Sequence, residues 1–222
     1  METVRVWFRK RGKVKFISHL DVQRCVLRAV KCTKIPVWYT QGFNPHVFIT
    51  FALPLPLGVE GERESFDIKL LEPQNLESIA NAMNRWLPKG LEISSVGNPM
   101  MSPNLVRYAC FSIKIFPQKT EQCPNLNELQ KSIEDVFSHP NLMVEKETKS
   151  GNKQIDLKKE IKSHSFIHCK EFSKLTAIMP AGNERNISPN LLIKALKKFF
   201  FFPFSYSIVR TGLFTEKMEA FY

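Results

Sequence analysis

Polar Arg5 lies between Val4 and Val6 in VRVWF at 4–8, a run of β-branched and aromatic residues that reads as a strand. A charged turn, RKRGK at 9–13, follows with Gly12. Over residues 18–33 the apolar period is 3.6. Val22, Cys25, Val26, Leu27, Ala29 and Val30 fall on one helical stripe. Arg24, Arg28 and Lys31 fall on the opposite face. The stretch SHLD opens this helix as a capping box, Ser18 serving as N-cap and Asp21 sitting three residues on. Ile17 and Val22 are spaced for a hydrophobic staple.

PVWY at 36–39, the turn QGFNPH at 41–46 and the strand-forming run VFITFAL at 47–53 come next. PLPLG at 54–58 is a stiff connector, and SFDIKLL at 65–71 is a strand. Residues 74–87 read as a second helix with Leu76, Ile79, Ala80, Met83 and Leu87 on one face, stopped by Pro88 and Gly90. LEISSV at 91–96 closes the series as a strand. The order β-α-β-β-α-β is that of a ferredoxin-like unit.

The second half repeats the order more weakly. ACFSIKIF at 109–116 is a strand and residues 125–137 a helix. LMVEKET at 142–148 and GNKQIDL at 151–157 make a hairpin around Ser150 and Gly151. Residues 165–169 and 174–179 are strand candidates. Ser188 and Pro189 open a helix as N-cap and first residue, running to Phe199. FSYSIVRTGLF at 204–214 is a last strand. The fold class expected is α+β, two packed ferredoxin-like (βαββαβ) halves over 1–98 and 105–222, joined near NPMMSPN at 98–104. The repeat is one of architecture, since no sequence repeat is visible.

Composition supports a core-forming chain: 43% of the 222 residues are hydrophobic and 24% charged. Charge changes the picture more. The net charge is +11, and residues 1–34 alone carry ten basic and two acidic side chains, a local +8. Residues 35–100 are −3 and residues 101–222 are +6. A concentrated basic segment suits a phosphate-rich partner, so RNA is the expected one. Arg9, Lys10, Arg11, Lys13, Lys15, Arg24, Arg28 and Lys31 are the expected phosphate contacts.

The five cysteines (Cys25, Cys32, Cys110, Cys123, Cys169) show no CxxC spacing, and free thiols in a reducing compartment are expected. Residues 5–15 are too charged for a signal peptide, and no run approaches the ~18 apolar residues of a membrane span. KKFFFFPF at 197–204 is broken by Pro203 and reads as a helix end, a turn and a strand start. A cytoplasmic protein with no membrane contact is expected.

Two imidazoles stand in informative contexts. His19 lies at the positive end of a helix, where free N–H groups favour an anion and disfavour an imidazolium; Lys13, Lys15 and Arg24 are near in sequence. His46 follows Asn44 and Pro45, whose pairing holds Asn44 extended. Tyr39, Gln41, Asn44 and His46 thus share one short reach and are the expected nucleotide contacts. A turn whose polar residues cap their own backbone explains the same composition more simply. His19 and His46 could also serve as acid and base in metal-free RNA chemistry if the fold brings them together. His164 and His168, beside Cys169, are i, i+4 in a strand and so about 13 Å apart, too far for a shared zinc. No metal site or cofactor is expected, and neither an RRM signature, a P-loop, GxGxxG nor GxSxG occurs.

FISHLDVQR at 16–24, YTQGFNPH at 39–46 and FALPLPLGVEGE at 51–62 together resemble a bacterial family of unknown function, the radical-SAM-associated domain proteins. TKSGNKQIDLKKEI at 148–161 and RTGLF at 210–214 extend the likeness over nearly the whole chain. In that family the domain stands alone or follows a B12-binding radical SAM protein. The resemblance implies an association with radical SAM enzymes and with RNA metabolism. No CxxxCxxC occurs, so any cluster would belong to a partner. Val47 and Phe48 stand where the family has proline and a basic residue, and Lys158 stands in place of an arginine. Three functions follow as expectations: an RNA-binding accessory protein, a metal-independent ribonuclease or RNA-modifying enzyme using His19 and His46, and an adaptor docking on a radical SAM enzyme.

Overall fold

The computed structural model describes residues 1–118, 126–148, 151–200 and 202–222. Cys123 and Ser150, and with Ser150 the tip of the expected hairpin, lie outside them. The chain forms two compact units, Met1–Val106 with Arg210–Tyr222, and Arg107–Val209. The division falls beyond the 98–104 stretch, and the C-terminal residues belong to the first unit. The physical reason is specific. Arg210 binds the buried Glu64, and the Phe221 ring lies under the Arg5 guanidinium, 4.4 Å from it.

The first unit is built from β1 (Glu2–Lys10), α1 (His19–Thr33), β2 (Ile49–Phe51), β3 (Val59–Leu70), α2 (Leu76–Asn84) and β4 (Leu91–Gly97). Strand β1 pairs antiparallel with both β3 and β4. Ile68 of β3 sits opposite Val4 of β1 on one side and Ile49 of β2 on the other, giving the order β4-β1-β3-β2. Val4, Val6 and Phe8 of β1 and Phe66, Ile68 and Leu70 of β3 point to one face, as period-2 alternation requires. Val22, Val26, Ala29 and Val30 of α1 and Ile79 and Met83 of α2 cover that face. Each such buried Val, Leu, Ile, Phe or Met side chain contributes about 1.5–3 kcal/mol relative to exposure.

Helix α2 is shorter than the expected 74–87, and strands β2 and β3 differ from expectation more. The run 47–53 yields only a three-residue strand, because its ends have other partners. Val47 bridges Tyr39, and the Leu53 carbonyl accepts from Arg210. Strand β3 starts at Val59, earlier than the hydrophobic alternation suggests. There its buried positions hold Gly61 and Glu64 in place of apolar residues.

The second unit holds β5 (Tyr108–Pro117), α3 (Leu126–Ser138), β6 (Met143–Thr148), β7 (Gly151–Asp156), α4 (Leu157–Glu160), β8 (Ser163–His168), β9 (Ser173–Pro180) and α5 (Pro189–Phe199). Strand β10 (Phe204–Phe214) begins in it and ends in the first unit. The sheet neighbours are β10-β5-β9-β8, and β6 with β7 form a separate two-stranded ladder. Ser188 caps α5 and Pro189 opens it. The class is α+β. Among the described residues no helix is long and apolar enough to cross a membrane.

Candidate functional site

Helix α1 begins as its sequence dictates. The Ser18 hydroxyl accepts from the Asp21 N–H at 3.1 Å and donates to the Asp21 carboxylate at 2.7 Å. Arg24 donates to the other carboxylate oxygen at 2.9 Å. The Ser18 hydroxyl and then the Arg24 guanidinium hold the Asp21 carboxyl below its usual range. The positive end of the helix is therefore already met by a carboxylate from its own first turn. That opposes the expected anion at this position.

His19 is the first helical residue and is half-buried. The Gln23 side-chain amide donates to its Nε2 at 3.2 Å, which assigns the lone pair to Nε2 and the proton to Nδ1. The Phe51 ring meets the imidazole edge-on with centroids 4.9 Å apart. Burial first, then the nearby Lys10 and Arg210 charges, push the His19 pKa below its ordinary 6.5, against an opposing pull from Glu64. His19 is neutral at pH 7.

Behind His19 lies a group of buried charges. Lys10 and Glu64 are 1% and 2% exposed, and Arg210 is 1% exposed. Arg210 Nε donates to Glu64 at 2.9 Å and Nη2 binds the other carboxylate oxygen, a bidentate pair. The same guanidinium donates to the Leu53 carbonyl at 2.9 Å and the Pro54 carbonyl at 3.1 Å. Lys10 donates to the Ile17 carbonyl at 3.0 Å, and burial lowers its pKa. A Cβ on Gly61 would meet Glu64 Cγ at 2.5 Å, so glycine makes room for this carboxylate.

His46 is set by its turn. Tyr39 bridges Val47, and the Thr40 N–H donates to the His46 carbonyl at 2.8 Å, closing residues 40–46 into a loop. Gly42 takes φ +125°, which favours glycine. The His46 N–H donates to the Thr40 hydroxyl at 3.1 Å. His46 Nδ1 lies 3.0 Å from the Thr40 hydroxyl and 3.1 Å from the Asn44 carbonyl, so both hold the ring in place. His46 lines a cavity of about 220 Å³ with Gln23, Leu27, Val47, Ile49 and Phe51. Gln23 and Phe51 are the residues that touch His19. His46 thus lines the cavity and His19 touches two residues of its wall, and among the described residues no hydrogen bond joins the two imidazoles.

The expected phosphate contacts separate into three groups. Lys10 is buried and pinned to backbone carbonyls, so it is a structural residue and not a surface cation; a strand-end lysine gave no sign of that in sequence. Arg9, Arg11 and Lys15 face Glu92, Glu62 and Glu60 of β3 and β4, and Arg24 faces Asp21. Arg28 and Lys31 on α1, with Lys13, are exposed, and no ion pair among the described residues uses them. Tyr39, Gln41 and Asn44 are exposed around the turn, and Phe43 at its tip is fully exposed. Glu64, Gln23, Thr40 and Phe51 were not legible as site residues. Arg210 was visible only as part of RTGLF.

His164 and His168 lie on β8 with separate partners. His164 packs against Phe137, and His168 Nδ1 meets the Ser173 hydroxyl at 3.0 Å. Among the described residues no group of three or more His, Cys, Asp or Glu side chains could hold a metal ion.

The lowered pKa of His19 makes a pH prediction. The unfolded chain takes the proton more readily than the folded one. Neutral His19 therefore favours folding above pH 6.5, and that contribution is lost as pH falls below it. Between neutral pH and about pH 5, a His19→Gln variant should lose less thermal stability than the parent protein. An unchanged acid sensitivity would show that His19 does not contribute to it.

A family model described as "Uncharacterized protein conserved in bacteria (DUF2344)" matches residues 3–189, and the chain belongs to that family. No curated protein matches it.

Proposed function

We propose that this member of an uncharacterized bacterial family is an RNA-binding accessory protein whose first unit receives an unpaired base. The observation that carries the reading is the cavity beside α1. Its walls are apolar (Leu27, Val47, Ile49, Phe51), and its two polar groups, Gln23 and His46, have hydrogen-bonding capacity for a base edge. At about 220 Å³ it is below the ~300 Å³ at which whole small-molecule sites begin, and it suits a single ring system. Farther along the exposed side of α1, Arg28 and Lys31 are available to flanking phosphates, whereas Arg24 is held by Asp21. Tyr39, Gln41 and Asn44 border His46 in the turn. The order β4-β1-β3-β2 with two covering helices supports a ferredoxin-like reading of the first unit. In the second unit β10-β5-β9-β8 supports the same reading, with the β6–β7 ladder as an insertion.

The test is a salt titration of single-stranded RNA binding. Two phosphate contacts give a slope of log K on log salt of about −1.4, against about −6 had all eight basic residues engaged. Absence of binding at low salt, or binding indifferent to salt, overturns the reading.

His46 in the cavity wall, with His19 in contact with Gln23 and Phe51 of the same wall, supports a second reading as a metal-independent ribonuclease or RNA-modifying enzyme. His46→Ala would then abolish turnover and retain binding. Intact RNA with the parent protein would sink it. The resemblance to radical-SAM-associated proteins supports a radical SAM enzyme as protein partner, tested by co-purification after nuclease treatment.

A further inference from the structure

The second unit carries a larger cavity, of about 370 Å³, that the RNA reading does not use. Helix α3 supplies Val136 and Phe137, and Leu142 follows the helix. Helix α4 and the start of β8 supply Lys158, Ile161, Lys162, Ser163 and His164. Half of this lining is apolar, and the rest is two ammonium groups, a hydroxyl and an imidazole. None of the eight residues is acidic.

Two carboxylates nearby in sequence, Asp156 and Glu160, are engaged elsewhere. Asp156 accepts from the Leu142 N–H at 2.8 Å and the Lys158 N–H at 3.1 Å. Glu160 is held by Arg185. The Lys158 ammonium donates to the His139 carbonyl at 2.6 Å, and its remaining hydrogens need acceptors. Lys162 rests over the Tyr108 ring, 4.3 Å from its centroid, a contact that leaves its charge uncompensated. His164 packs its ring 4.5 Å from Phe137, and partial burial there, with Lys158, lowers its pKa. It is neutral at pH 7 and offers hydrogen bonds without repelling a lysine-bound group.

From this pairing of two uncompensated cations with an apolar wall, we infer that the cavity binds a small phosphate monoester carrying an aromatic ring, the class of a nucleoside monophosphate. A phosphate monoester bears about −1.5 to −2 charges at pH 7, matching two ammonium groups, whereas a carboxylate matches one. Phe137 and His164 offer ring faces or edges to the body of the ligand. The volume is within the range of sites that enclose such molecules, roughly 300–1,000 Å³.

The experiment is calorimetric titration of the full chain with adenosine monophosphate, adenosine and benzoate. The monophosphate should bind saturably, and removal of the phosphate should weaken binding about tenfold or more. Lys158→Met and Lys162→Met should each weaken it by a similar factor, while Lys89→Met, at an exposed lysine of the first unit outside its cavity, leaves it unchanged. Both cavity lysines are exposed, so both variants should keep the parent melting temperature. Equal affinity for adenosine, unchanged affinity in the double lysine variant, or no saturable binding at millimolar ligand overturns the inference. Tighter binding of benzoate than of the monophosphate does so too. A 5′-phosphorylated oligonucleotide that binds through these lysines while the mononucleotide does not would overturn the small-ligand assignment.

Discussion

Replacing Arg210 by alanine should lower the unfolding free energy of the first unit by about 3–5 kcal/mol. Glu64, only 2% exposed, would keep a buried charge without its bidentate partner. The Leu53 and Pro54 carbonyls would lose their donor as well. Lys10 takes up only part of the deficit, because its ammonium is committed to the Ile17 carbonyl. Arg210→Lys should fall between, since an ammonium keeps the charge but cannot match both carboxylate oxygens and both carbonyls. The double change Arg210→Met with Glu64→Leu should cost far less than Arg210→Ala alone, because it leaves no orphaned charge. Urea unfolding of the three variants measures this. A loss below about 1 kcal/mol for Arg210→Ala would mean that water reaches Glu64 and that the pair is not buried in solution. The same change removes one of the charges that lower the His19 pKa, so the His19 titration should move upward in NMR.

Reversing Arg28 and Lys31 to glutamate together should weaken single-stranded RNA binding about a hundredfold at low salt and bring the salt slope close to zero. Both side chains are exposed on α1, so stability should change by less than about 0.5 kcal/mol per site. Arg11→Glu is the informative comparison. Its guanidinium holds Glu62, so it contributes little free positive charge and its reversal should affect binding much less. If Arg11→Glu weakens binding as much as the double reversal, the phosphates run along the β1 turn and not along α1. Affinity within about threefold of the parent for the double reversal would remove α1 from the interface.

These two results concern different kinds of residue, and the sequence distinguished them only in part. The capping box at Ser18 and Asp21, the apolar stripe of α1 and the opposed ridge of Arg24, Arg28 and Lys31 were all legible. Local spacing decides them, because residues three and four apart share a helix face. The turn at 41–46 was legible for the same reason, since Gly42 permits a positive φ and Pro45 restricts the backbone locally. The fate of the basic segment was not legible. Ten basic side chains within residues 1–34 read as a field for phosphate. Folding sets Arg9, Arg11 and Lys15 against glutamates of β3 and β4 some fifty to eighty positions away. The −3 balance of residues 35–100 held the counter-charges, but no local rule says which strand edge they reach.

The sequence by itself determined where α1 and α5 start, which face α1 buries, that strands alternate with helices in an α+β chain, and that QGFNPH must turn. Those are short-range consequences of backbone stereochemistry and hydrophobic period. Only the tertiary structure decided that Lys10 is buried, that Glu64 and Arg210 meet behind His19, and that Gln23 and Phe51 tie His19 to the cavity that His46 lines. Strand pairing decides these contacts, and it joins residues as far apart as Glu64 and Arg210, 146 positions in sequence. Which charges remain free for a partner is fixed only when the sheet has closed.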